Sequence, residues 1–170
     1  MDYASAAPTA PHDTLLACLA EEESALDSLL FKLKEQYLVL SSGEHRWLDR
    51  TTAEVNTALE RLTTTGQRRE KAAAVANTTL GLSPNATLEE LSDRIVDEAA
   101  GQRLHIRRQS LRNLLDQVRR TSRHNRELLA NNLAATGDAL AVLGMAPTYD
   151  AAGAKGRPTS RLSRVLDTRA

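Results

Sequence analysis

Leucine recurs every seven residues from Leu19 through Leu26 and Leu33 to Leu40, and no other feature restricts the fold of this chain so strongly. Leu16, Leu30 and Tyr37 occupy the companion heptad position, and only Glu23 interrupts the seam. A repeat of this length keeps one apolar stripe of a helix facing its neighbours, so the segment predicts a long helix that must pack against others. Asp13 or Thr14 can cap its start, and Gly43 after Ser41-Ser42 supplies the left-handed residue that ends it.

The rest of the chain continues in the same style. A second helix is expected from about Glu44 to Leu80, with Trp47, Leu48, Val55, Ala58, Leu59 and Leu62 on one face, weakening to Thr65, Ala72, Ala73 and Ala76. Thr63-Thr64-Thr65-Gly66 lowers helix propensity and would permit a bend. Leu80-Gly81-Leu82 reads as a glycine stop and Ser83-Pro84-Asn85 as a loop. Thr87 with Glu90 forms a capping box that opens a third helix at Leu88, which either stops at Gly101 or runs on. The last long helix carries Leu104, Leu111, Leu115, Val118, Leu129, Leu133, Leu140 and Leu143 before Gly144 and Pro147.

These elements predict an all-α fold, an elongated antiparallel helical bundle or coiled coil of three to four helices with disordered termini. Residues 1–12 are expected to be a disordered leader, 13–145 the bundle, and 146–170 a flexible tail. Within that tail Leu162, Val165 and Leu166 stand at helical spacing, so it would fold on a partner as a short amphipathic helix. Aromatics are only 3% of the 170 residues, which leaves Leu, Ala and Val to fill the core.

The formal net charge is +0, yet residues 1–60 carry 4 basic and 11 acidic side chains while residues 103–170 carry 13 and 5. Opposite-signed segments can neutralise each other within a fold, so the acidic first helix is expected beside the basic last one. The arginine stripe from Arg103 to Arg126 has no interleaved aromatics for stacking on bases, and a nucleic-acid partner is not expected. The single Cys18 excludes an intrachain disulfide and fits a small packing residue in a reducing compartment. There is no signal-like start and no run of about 20 apolar residues, so membrane insertion is not expected and a cytoplasmic location is. On the same ground Asn77-Thr-Thr and Asn85-Ala-Thr are accidental sequons.

Nothing in the chain assembles chemistry. His12, His45, His105 and His124 lie far apart, no Glu has a His three residues on, and Gly66, Gly81 and Gly101 are isolated. No catalytic residue, metal ligand or cofactor is therefore assigned, and the chain is not expected to be an enzyme. Asn125 and Asn132 at seam positions have two readings. Each fixes helix register through a buried hydrogen bond, or the seam there is partly open, with Leu129 and Leu133 beside it, and receives another polypeptide.

The order of parts resembles the FlgN family of flagellar export chaperones. The resemblance lies in LLACLAEEESALDSLLFKLKEQYLVL, in Arg68-Arg69-Glu70, in the link LGLSPNATLEELSD, in HNRELLANNL, and in TYDAAGAKGR before a short tail. It implies a cytoplasmic chaperone that binds the C-terminal region of hook-associated (hook-filament junction) proteins, prevents their premature association and delivers them to the export gate of the flagellar type III apparatus. It implies that the C-terminal segment takes part in client binding, here Pro147 to about Leu166, and makes Tyr149 a candidate contact for the gate or the client. With the readings above, the expected client-binding set is Asn125, Leu129, Asn132, Leu133, Leu162, Val165 and Leu166. A structural coiled-coil adaptor that self-associates, and a nucleic-acid binder using the arginine stripe, are the alternatives.

Overall fold

The computed structural model describes residues 10–142. They form four α-helices and one short 3₁₀ turn: α1 (Pro11–Ser42), the turn His45–Trp47, α2 (Leu48–Thr79), α3 (Leu88–Arg94) and α4 (Glu98–Val142). The fold is all-α, a helical bundle. Its contacts divide the chain into two units, Met1–Asn125 and Arg126–Ala170. Of the expected leader only residues 10–12 are described, and Pro11 and His12 already belong to α1; the expected tail lies entirely outside the described residues.

In the first unit α1 begins with Pro11, whose missing N–H is harmless in a first turn. It ends at Gly43, at φ 73°. Its buried residues are Leu15, Leu19, Ala25, Leu26, Leu29, Leu30, Leu33 and Leu40, a wider stripe than the heptad alone. The width has a cause: α1 is covered from two sides. Against α2, Glu21 and Glu22 meet Arg68 and Arg69, while Gln36 meets Thr52, so residue numbers rise on one helix as they fall on the other and the pair is antiparallel. Against α4, Glu23 meets Arg107 while Leu33 and Gln36 meet Asn125, so these two helices run parallel. The core joins Leu15, Leu19 and Leu26 with Ala76, Leu91, Leu104 and Leu111, and a second cluster joins Leu29, Leu33 and Val55.

On α2 the apolar face is narrower than its sequence suggests. Val55 is buried, but Leu59 is 44% exposed, and Trp47 is equally exposed in the turn before the helix, with the Arg46 guanidinium 5.2 Å above its ring. Thr63, Thr64 and Thr65 do not interrupt the helix, and each hydroxyl turns inward to donate to the carbonyl four residues back. The helix closes as expected at Gly81, at φ 72°. Gly81 N–H donates to Thr78 O and Leu82 N–H to Asn77 O, which satisfies two terminal carbonyls and turns Leu82 into the core.

The capping box forms as the sequence indicates: Glu90 N–H donates to the Thr87 hydroxyl at 3.2 Å, and Thr87 N–H to the Glu90 carboxylate at 2.6 Å. The helix stops neither at nor beyond Gly101. It ends at Ile95, whose backbone is extended, and α4 restarts with Asp97 accepting from Ala99 N–H at 3.0 Å. Gly101 lies inside the first turns of α4, where a Cβ would come within 3.3 Å of the Ser92 carbonyl oxygen, so glycine here permits close approach rather than a stop.

Candidate functional site

The seam candidates fall on α4, and the structure separates them. Asn125 is 4% exposed, and its amide donates to Leu33 O at 2.8 Å and to Gln36 Oε1 at 3.0 Å. A helix carbonyl can accept such a bond only at one register, so these two bonds fix the register of α4 against α1. Beside it the Tyr37 and His124 rings meet edge to face with centroids 5.1 Å apart.

The second unit behaves otherwise. From Arg126 to Val142 no described side chain is buried. Leu129 is 38% exposed, Leu133 66%, and Leu140 and Val142 are exposed as well. Spacings of four and seven residues put Leu129, Leu133 and Leu140 on one helical face. Asn132 is half-buried, and its carbonyl accepts from the Thr136 hydroxyl at 2.8 Å. Tyr149, Leu162, Val165 and Leu166 lie outside the described residues.

The charge pattern resolves differently from a simple pairing of first and last helices. Of the acidic run, Glu21 and Glu22 are taken by Arg68 and Arg69 of α2, and only Glu23 reaches α4, where Ser110 and Arg107 both donate to it. The Ser110 hydroxyl holds the Glu23 carboxyl below its ordinary pKa against the opposing effect of burial, and Arg107 adds to the lowering. The residue that interrupts the leucine seam is thus an interhelical anchor. Arg108 pairs with Glu89, and Arg119 with Asp116, whereas Arg103, Arg112, Arg120 and Arg123 have no ion partner among the described residues.

One structural residue passed unnoticed in the sequence. Asn77 is 1% exposed and donates to the carbonyls of Pro84 and Ala86, at 3.1 and 2.9 Å, pinning the loop between α2 and α3. Its signal was available: an amide four residues before a helix-ending glycine can reach the loop that follows.

Among the described residues no group of three metal-binding side chains occurs, and no helix is long and apolar enough to cross a membrane. What the arrangement offers is a helix face, apolar, exposed and repeating at helical spacing. The molecule is of the class of all-α helical bundles. The chain belongs to the FlgN family, the flagellar export chaperones, whose family model, described as FlgN protein, matches residues 12–156. No curated protein and no solved structure matches it.

Proposed function

We propose that this chain works in the cytoplasm, binding the C-terminal helical region of flagellar hook-associated proteins, keeping them from associating prematurely and delivering them to the type III export gate. The observation that carries this reading is the face of Leu129, Leu133 and Leu140 on α4, exposed in a chain of a chaperone family. Segments that pack as helices in a finished filament expose apolar heptad positions beforehand, and those positions associate with one another unless covered. A helix laid along the exposed leucines covers them by apolar burial and needs no chemistry, so release needs none either. Asn132 sits on the margin of this face, where a polar group fixes the register of an incoming helix. Leu162, Val165 and Leu166 would contact the client, and Tyr149 would meet the client or the gate. Asn125 is engaged with α1 through Leu33 and Gln36.

The test is capture of a purified hook-filament junction protein by three forms of the chain: unaltered, Leu129→Glu with Leu133→Glu, and truncated after Ala146. The unaltered chain is expected to retain the client, the double variant to lose it with helicity unchanged, and the truncated chain to bind more weakly. Undiminished capture by the double variant would sink the proposed face. Self-association of the unaltered chain without any client would favour the structural adaptor instead.

A further inference from the structure

A second surface, on the first unit, has the composition of a docking groove. It is a depression of about 290 Å³ bordered by all four helices of that unit. Leu26 and Leu111, nearly fully buried, form its floor with Leu88, and Leu115, 37% exposed, stands at its lip. Arginines from two helices make its rim: Arg69 of α2, and Arg108 and Arg112 of α4.

The rim is only partly neutralised. Arg69 is held by Glu22 at 2.7 Å and Arg108 by Glu89 at 2.5 Å, while Arg112 is exposed with no ion partner among the described residues. Arg108, Arg112 and Leu115 follow at spacings of four and three, so they share one face of α4 and present cation, cation and leucine along about two turns. An apolar floor under surplus positive charge selects against most of what is available to fill it. Residues 146–170 of this chain carry 5 basic and 2 acidic side chains and would be repelled. Residues 1–9 offer one carboxylate, Asp2, and no apolar face. The acidic run of a second copy, Glu21 to Glu23, is already engaged by Arg68, Arg69, Arg107 and Ser110. Nucleic acid would use the arginines but would leave the leucines uncovered, and the rim has no aromatic for a base to stack on.

We propose that this groove receives an acidic amphipathic helix of another protein, one with leucine-like residues a turn apart for the floor and lip and with Asp or Glu beside them for Arg112. The carboxylates steer and orient the partner, and the leucines hold it.

The probe is a fluorescein-labelled helical peptide of Leu and Glu, with Leu at positions three and four apart. The control has Lys at every Glu. Titrated with the full chain, the Glu peptide is expected to bind at least about tenfold more tightly than the Lys peptide, and less tightly as salt is raised. Arg112→Glu should weaken it by about tenfold and Leu115→Ser by several-fold, while Val75→Ser, exposed on α2 outside the groove lining, leaves it unchanged. Arg112 is exposed, and circular dichroism of Arg112→Glu should show an intact fold. Equal binding of the two peptides, no binding of the Glu peptide, or indifference to Arg112→Glu would each overturn the proposal. So would competition by a single-stranded oligonucleotide at the same site, or a dimer seen by sedimentation that Arg112→Glu abolishes.

Discussion

Leu26 in the first unit and Leu133 in the second belong to the same kind of helical leucine repeat and have opposite fates: one is 1% exposed, the other 66%. A heptad states only that a face is apolar. Whether the chain itself covers that face depends on how many helices reach it. Leucines of α1 have α2 on one side and α4 on the other, whereas from Arg126 onward no described residue of α4 is buried. The leucines buried among the described residues hold the first unit together, and those exposed on α4 are the ones proposed to meet a client.

The sharpest way to break this contrast is to truncate one leucine of each kind. Leu26→Ala should cost about 2 to 5 kcal/mol, since a fully packed leucine leaves a cavity its neighbours only partly fill. Leu133→Ala should change stability by no more than about 0.5 kcal/mol. Urea unfolding followed by circular dichroism measures both. A comparable loss from Leu133→Ala would mean that the second unit contributes to the core after all.

A buried amide tests the same division with polar groups. Asn77→Ala leaves the carbonyls of Pro84 and Ala86 without their donor and should cost about 2 kcal/mol. Because the damage lies in the link between α2 and α3, amide hydrogen exchange should quicken around residues 82–90 before it does in α1. Uniform quickening would show that the link is not a separate weak point.

Much of this architecture was legible beforehand, because local rules decided it. The α1 repeat, the stop at Gly81 and the capping box of Thr87 and Glu90 each rest on residues within a turn or two of one another. What was not legible depended on residues far apart in the chain. Gly101 looks like a breaker, but its absent side chain answers the Ser92 carbonyl of another helix, and the break falls at Ile95 instead. Trp47 and Leu59 carry apolar side chains that a helical wheel assigns to the core, yet nothing covers them fully. The parallel sense of α1 and α4 is what alternation of the three long helices gives, α3 being too short to add a further reversal. In the candidate site, the exposure of Leu129 and Leu133 could not be read from spacing, because buried and exposed leucines repeat alike. Asn125 could be read as a register residue, and its partners, Leu33 and Gln36, could not be named without the fold.

The smallest effect concerns the one charged residue in the leucine seam, and it separates the two units by pH. Glu23, Glu54 and Glu90 are each held below the ordinary carboxylate value of 4.5: Glu23 chiefly by the Ser110 hydroxyl, Glu54 chiefly by Lys32, and Glu90 chiefly by the Thr87 backbone N–H. All three lie in the first unit. A carboxylate that is more acidic in the folded chain binds fewer protons there than in the unfolded chain, so stability rises with pH through the interval between the two values. The contribution is complete above 4.5 and disappears as pH falls through the lower, folded value. Glu23→Gln keeps the shape but removes the charge that Ser110 and Arg107 answer. It should cost about 1 kcal/mol at pH 7 and progressively less toward pH 3, where the unaltered protein has lost the same contribution. Urea midpoints measured at pH 7, 5, 4 and 3 for both proteins should therefore converge at the acid end. Parallel curves would mean that Glu23 matters for its packing and not its charge, and that the seam tolerates this residue without needing its ion pair.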